Sequence, residues 1–184
     1  MNPIASTLSF IMASGITPSQ TNRLKEIGYF GQPASRNHHL SCYGGLAEHS
    51  ANVTRRLLDL TGTLDVKWPR EESPYLVGLL HDLVKCRCYR LKEEVDGKPV
   101  WEYIQPSYPG HGVCSAAIAA ELGINLLRDE IVAITYHMGT YGVGREYTAE
   151  EFENAIKWHG PQVIATCCAD WYAAKVDEIQ GGDQ

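Results

Sequence analysis

Histidine and aspartate residues recur along this sequence at intervals of about 30 residues, the length of one helix and its connection. The series comprises His49, His81, Asp82, His111, His137 and Asp170. Imidazole nitrogens and carboxylate oxygens are ligands for divalent transition metals. Several of these residues stand among apolar neighbours, where an unpaired carboxylate would cost several kcal/mol. We therefore expect a bound cation to compensate the buried groups.

Helical periodicity turns the first members of the series towards the interior. His49 lies at three-and-four spacing with apolar residues in a helix predicted from about Gly45 to Leu60. The stretch "YLVGLLHDLVK" is part of a helix predicted to start at Ser73 and Pro74 and to run through about Lys85. Its histidine and aspartate are adjacent, about 100° apart on a helix, so neither can stand far from the apolar face.

Six ligands exceed the four that a tetrahedral zinc site requires. Two ions that share a carboxylate would use all six, and Asp82 is the predicted bridge because it directly follows His81. We expect two divalent transition metal ions, Fe, Mn, Ni, Co or Zn, with Mg also possible. A single histidine on an apolar face is more often a core residue, so the prediction depends on the whole series.

Helix signals dominate the rest of the chain. Helices are predicted after the Thr17 N-cap up to Gly28, from Gly112 to Leu122, from Asp129 to Met138, from Thr148 to Trp158 and from Pro161 to about Ile179. Asp96 and Gly97 separate two segments of β-forming residues, which predicts a hairpin. The predicted fold class is all-α, a helical bundle with a small β-hairpin insertion. We expect a single domain over residues 1–184, with residues 1–36 as an N-terminal helical extension.

The order H, HD, H, H, D resembles the HD-domain superfamily of metal-dependent phosphohydrolases, in the branch with a dinuclear site. The similarity extends from about Asn37 to Asp177, and its first segment looks like the opening of small bacterial and phage HD proteins. The segments that carry it are "NHHLSCYGGLAEHS", "YLVGLLHDLVK", "YPGHGVCSAAIAAELGI", "IVAITYHMG" and "CCADWYAAK". The resemblance implies an HD-domain bundle in which the six residues are metal ligands. It also implies hydrolysis of a phosphate ester, of a nucleotide or a short oligonucleotide, by a metal-activated water.

Other residues are candidates for catalysis and for substrate binding. Asp82 and Lys85 are the predicted catalytic pair, since a lysine three residues after the aspartate could stabilise developing charge on a phosphate. Arg145, in the glycine-rich segment "GTYGVGREY", could reach a phosphate. His38 and His39 precede the first ligand helix and could line the pocket. The alternatives are a surface lysine at position 85 and an ordinary surface loop around Arg145.

The net charge of −6 argues against a broad nucleic-acid surface, which would need many basic residues. The expected partner is instead a small phosphate ester or nucleotide. No Lys or Arg precedes the apolar run from Leu8 to Ala13, and no apolar run is long enough to cross a bilayer. We therefore expect a cytoplasmic protein without a membrane segment, and the sequence leaves its oligomeric state open.

Two other functions are compatible with the same residues. Some HD-domain proteins use a similar ligand set to hold a mixed-valent di-iron centre that activates oxygen, so the chain could be an oxygenase. A non-catalytic nucleotide-binding module is the second alternative. Binding alone does not require six metal ligands, which favours the enzymatic interpretations.

Overall fold

Seven α-helices and one antiparallel sheet form the regular structure in a computed structural model, which describes residues 3–105 and 110–179. The helices are α1 (Pro3–Ala13), α2 (Pro18–Glu26), α3 (Gly45–Thr63), α4 (Ser73–Leu80), α5 (His111–Glu121), α6 (Arg128–Thr135) and α7 (Ala149–Tyr172). The strands are β1 (Tyr89–Val95) and β2 (Lys98–Tyr103). The predicted helical fold with one small hairpin is confirmed. Tyr108 and Pro109 of the motif quoted above lie outside the described residues.

Two threonines start helices as the sequence predicts. The Thr17 hydroxyl accepts a hydrogen bond from the backbone of Gln20, and the Thr148 hydroxyl accepts one from the backbone of Glu151. Each partner side chain in turn accepts from the backbone N–H of its threonine, which completes a capping box at both helices. These caps satisfy N–H groups that have no partner within the helix.

Helix α3 is the centre of the bundle and packs against α1, α4 and α7. The approach to α4 is especially close at Gly78, where an added Cβ would lie 2.6 Å from the Cα of Thr54. Only a glycine allows this spacing. The largest fully buried apolar side chains include Leu24, Tyr29, Leu46, Leu57, Leu79, Leu80, Leu83, Ile118 and Ile134.

Helix α4 is shorter than the sequence predicts. It ends at Leu80 instead of Lys85, and Asp82 leaves the α-helical conformation with φ −107° and ψ 19°. A short 3₁₀ helix, Leu83–Arg87, follows. Successive side chains of an α-helix point about 100° apart. The early end allows His81 and Asp82 to face the same interior position.

The later helices also differ from their predicted bounds. Helix α6 ends at Thr135, so His137 lies just beyond it. The two helices predicted on either side of Pro161 form the single kinked helix α7, with non-helical dihedral angles at His159. A proline cannot donate the usual backbone hydrogen bond, which explains a kink near this position. A wide π-helical turn, Ala173–Asp177, follows α7.

The hairpin turns at Asp96 and Gly97, which confirms its predicted position. Both residues have positive φ, as the tight two-residue turns between antiparallel strands require. Tyr43 contacts Trp101 of β2, so the hairpin packs beside the segment that precedes α3. Within the described ranges, the helices lack the combined length and apolarity needed to cross a lipid bilayer.

Candidate metal centre

The residues of the His/Asp series converge at the interior end of α4. His49 comes from α3, His81 and Asp82 follow α4, and His111 is the first residue of α5. His137 follows α6, and Asp170 lies in α7. The chain therefore uses helix ends for most of these positions, where the backbone can turn a side chain towards one point.

The two oxygens of the Asp82 carboxylate face different pairs of histidines. Oδ1 lies 2.5 Å from Nε2 of His111 and 3.5 Å from Nε2 of His137. Oδ2 lies 3.5 Å from Nε2 of both His49 and His81. The carboxylate is 3% exposed, so it is shielded from solvent on both sides. The Asp82 carboxylate therefore offers one oxygen to each pair of histidines.

Asp170 adds a second carboxylate on the side of the first pair. Its Oδ1 lies 3.1 Å from Nε2 of His49 and 3.8 Å from Nε2 of His81. His81, His137 and Asp170 present ligand atoms within 4.8 Å of one another, as do His49, His81 and Asp82. Asp82, His111 and His137 form a third such group. These clusters could hold metal ions.

The outward-facing nitrogens of three histidines are held by hydrogen bonds. Nδ1 of His81 donates to the carbonyl of Gly78 at 2.9 Å, and Nδ1 of His137 donates to the carbonyl of Ile134 at 2.7 Å. Nδ1 of His49 instead donates to the Glu178 carboxylate at 2.9 Å. With Nδ1 protonated, Nε2 carries the lone pair. Such outer hydrogen bonds fix the tautomer and ring orientation of histidines that bind metals.

Glu178 is a functional candidate that the sequence did not indicate. It lies eight residues after Asp170, and on a regular α-helix this spacing would place it about 80° away around the axis. The π-helical turn before it changes that direction, and no residue pattern in the sequence marks such a turn. The carboxylate next to His49 in the sequence, Glu48, is half-buried and makes no such contact among the described residues.

The charged groups of the cluster shift one another's pKa values strongly. Burial alone would raise the pKa of Asp82, but Lys85, His81 and His111 together hold it well below its ordinary value. Burial would lower the pKa of His49, but hydrogen bonds to Asp170, Asp82 and Glu178 raise it well above. The carboxylates are therefore ionised and available to a cation.

One polar atom of the cluster has no partner among the described residues. Nε2 of His137 is buried and makes no hydrogen bond, although Oδ1 of Asp82 lies 3.5 Å away. Buried polar atoms are rarely left unpaired in folded proteins. The atom points towards the Asp82 carboxylate, so a cation between the two would satisfy both. The donor set therefore fits a metal ion.

Lys85 lies beside the cluster rather than on the protein surface. Its ammonium group is 2.5 Å from Oδ2 of Asp82, and its side chain is 14% exposed. Asp82 outweighs the effect of burial and raises the pKa of Lys85, which stays positively charged. The lysine also lines the adjoining cavity, where its charge can meet an anionic ligand.

A cavity of about 850 Å³ opens beside the cluster. Asp82, His111, His137 and Asp170 line it together with His38, His39, Lys85, Lys175, Met138, Tyr141, Phe152, Ile164 and Trp171. His38 and His39 are both among the residues that line this cavity. Burial lowers the pKa of His39 to about 4, so this imidazole is neutral near pH 7.

Arg145 does not line the cavity in this structure. Its guanidinium group stacks on the ring of Tyr141, 3.9 Å from the ring centre. Tyr141 does line the cavity, so the arginine is separated from it by one aromatic ring. The neighbouring Glu146 accepts a hydrogen bond from the backbone N–H of His111 at 2.9 Å. The glycine-rich segment is thereby tied to the start of α5.

Comparisons with protein-family models, with curated proteins and with solved structures find no significant match to this chain.

Proposed function

We propose that the protein is a metal-dependent phosphohydrolase of the HD-domain type, which cleaves a small phosphate ester, a nucleotide or a short oligonucleotide. The observation that carries the proposal is the Asp82 carboxylate, with one oxygen facing His111 and His137 and the other facing His49 and His81. This arrangement favours a dinuclear site. Divalent metals bound there supply Lewis acidity and a water activated at neutral pH, the chemistry of phosphate hydrolysis.

The chain's own residues explain how a phosphate would be held in the cavity. Lys85 is a partly buried ammonium group at the edge of the cluster, and Lys175 lines the same cavity. Lys175 has no ion-pair partner among the described residues, so its charge is available to an anion. Both positive charges favour a substrate with concentrated negative charge. Lys85 is held by Asp82 before a substrate arrives, so its orientation costs little during the reaction.

The aromatic side chains in the cavity wall favour a leaving group with a flat, apolar face. Trp171 is 67% exposed and Tyr141 is 63% exposed, although both line the cavity. Ile164, on the same helix as Trp171, extends this wall. A nucleobase can stack on an exposed aromatic ring while its phosphate stays near the lysines. The cavity therefore supports a nucleotide more strongly than a compact inorganic or sugar phosphate.

The test is a mass-spectrometric screen of nucleotides, cyclic nucleotides, short oligonucleotides and phosphonates with Mn²⁺ or Fe²⁺ supplied. Each reaction is run under air and under argon. We expect the same product in both atmospheres and no product from the His81→Ala and Asp82→Ala variants. His159→Ala is the matched control, because this histidine pairs with Asp129 outside the cavity.

Two outcomes would overturn the proposal. Turnover confined to the aerobic samples would identify a di-iron oxygenase instead. Nucleotide binding that survives complete removal of the metal, without turnover on any substrate, would identify a binding module.

A further inference from the structure

The segment after α7 returns a carboxylate to the metal centre. The backbone N–H of Glu178 donates to the carbonyl of Ala173, five residues earlier, at 3.1 Å. A turn with this hydrogen bond is wider than an α-helical turn and rotates less per residue. Glu178 therefore lies on the same side as Asp170, although regular helical spacing would separate the two directions by about 80°. Single π-helical turns of this kind occur frequently at functional sites.

The Glu178 carboxylate is buried and fully engaged. Its side chain is 1% exposed, and its oxygens lie 2.9 Å and 3.2 Å from Nδ1 of His49. Asn52 donates a further hydrogen bond at 3.1 Å, and His39 lies 3.8 Å away. Burying a carboxylate is costly unless its partners compensate. The contacts therefore show a defined position rather than a loose chain end.

A second contact holds the same segment against α3. Arg56 of α3 donates two hydrogen bonds to the Asp177 carboxylate, at 2.8 Å and 2.5 Å. Its guanidinium group also stacks on the ring of Tyr172 at 4.4 Å. His49 and Asn52 belong to the same helix as Arg56. The π-helical turn and α3 are thus joined at two neighbouring points, next to the ligand histidine.

We propose that Glu178 is a positioning residue, which orients His49 for metal binding through Nε2. The proposal rests on the metal centre proposed above and adds a residue to it. His81 and His137 donate to backbone carbonyls, whereas His49 donates to a carboxylate. A carboxylate partner fixes the ring orientation and makes the imidazole a stronger ligand. The last described residues of the chain thereby contribute to metal affinity without contacting the metal.

The experiment measures metal binding rather than turnover. Mn²⁺ dissociation constants and stoichiometry are determined by chelator competition and elemental analysis for the full-length chain and three variants. Glu178→Ala removes the acceptor, and Glu178→Gln keeps an acceptor oxygen without the charge. Glu48→Gln is the matched control, because Glu48 is next to His49 in the sequence but does not contact its Nδ1. The absorption bands of the Co²⁺-loaded proteins report the ligand geometry, and urea unfolding with chelator present reports folding.

We expect Glu178→Ala to raise at least one Mn²⁺ dissociation constant by 10- to 100-fold, the usual effect of losing an outer partner. The Mn²⁺ dissociation constant of Glu178→Gln should lie between those of the alanine variant and the wild type, since the His49 ring stays hydrogen-bonded. Glu48→Gln should stay within about twofold of the wild type, with unchanged Co²⁺ bands. If the alanine variant does not fold, the Mn²⁺ affinity and the Co²⁺ bands of the glutamine variant test the positioning role.

Wild-type affinity and unchanged Co²⁺ bands in the glutamine variant and in any folded alanine variant would overturn the positioning role. An equal loss of Mn²⁺ affinity in Glu48→Gln would also overturn the positioning role, because the loss would then not depend on the contact with Nδ1 of His49. Metal binding that depends on Glu178 without hydrolysis of any phosphate ester would leave this inference standing and remove only the proposed function. A wild-type chain that binds no divalent metal would remove both.

Discussion

The close approach of α3 and α4 at Gly78 links the stability of the fold to the proposed metal centre, and Gly78→Ala tests that link. An alanine Cβ at this position would lie 2.6 Å from the Cα and 2.9 Å from the backbone nitrogen of Thr54. Ordinary contact begins at about 3.4 Å, so the two helices must separate by about 0.8 Å, the difference between 3.4 and 2.6 Å. The Thr54 hydroxyl oxygen is nearer still, at 2.5 Å, but the Cα and the nitrogen belong to a helix backbone, which cannot rotate away as a side chain does.

The separation has two consequences. Overpacking of this kind costs about 1–3 kcal/mol of unfolding free energy, and the rigid contact argues for the upper half of that range. His81 lies three residues after Gly78 and donates its Nδ1 hydrogen bond to the Gly78 carbonyl. A shift of about 0.8 Å in this helix exceeds the tolerance of about 0.2 Å for metal–ligand distances. Metal affinity should therefore fall by at least about tenfold.

Urea unfolding and Mn²⁺ chelator competition measure the two effects. Gly62→Ala is the control, because it makes the same change in α3 at a position with no atoms within 4 Å of the added Cβ. That variant should be unchanged or more stable by up to about 1 kcal/mol, the helix preference of alanine over glycine. Wild-type stability and Mn²⁺ affinity in Gly78→Ala would refute the close approach and its role in placing His81.

Three further predictions concern a buried ion pair, the cavity wall and metal loading. Glu130→Ala should lower the unfolding free energy by about 3–5 kcal/mol in urea titrations, because the buried carboxylate accepts hydrogen bonds from an arginine, a serine and a backbone N–H. Glu121→Ala removes an exposed ion pair and should cost less than about 1 kcal/mol. Equal losses in the two variants would contradict this ranking. Trp171→Ala should raise KM for a nucleotide substrate roughly 5- to 150-fold, because about 1–3 kcal/mol of stacking is lost. Trp158 is similarly exposed on the same helix but lies outside the cavity, so Trp158→Ala should leave KM unchanged. The same KM in both variants would exclude stacking on Trp171. Mn²⁺ at a hundredfold excess over its dissociation constant should add about 2.7 kcal/mol per site to the unfolding free energy and raise Tm by about 5–10 °C per site. A Tm that does not change with added metal or with chelator would argue against the metal centre.

The sequence predicts helices well where local chemistry defines their ends. The N-cap at Thr17, the capping box at Thr148 and the turn at Asp96 and Gly97 involve residues within a few positions of one another, and the structure has all three. The end of α4 is different, since nothing local to "HDLVK" stops a helix. There the tertiary contacts of His81 and Asp82 determine the backbone conformation, and those contacts involve residues far away in the sequence.

Residue type and order predict the series of candidate ligands, but they do not predict the side chains that hold those ligands in place. Each histidine of the series lies in or next to a helix with a recognisable apolar face, so its inward direction is predictable. Glu178 reaches His49 only because the turn before it is π-helical, and residue types do not reveal that turn. Arg145 shows the opposite case. Its residue type and glycine-rich surroundings suggest a phosphate contact, but Tyr141 offers a nearer surface for its guanidinium group.

The hydrogen-bond directions in the cluster favour a cation over a purely structural network. His49 and His81 each use the Nδ1 hydrogen for an outer partner, so in the neutral rings both Nε2 atoms present lone pairs, and these atoms lie 3.3 Å apart. The same Nε2 atoms face Oδ2 of Asp82 at 3.5 Å, again with an acceptor towards an acceptor. Such contacts repel unless a proton or a metal ion lies between them. A proton on Nε2 of His49, which the raised pKa of this residue favours, relieves only the contacts of that ring, whereas a divalent cation at the centre attracts every one of these atoms at once. The acceptors that face inward therefore support the metal centre independently of the order of residues in the sequence.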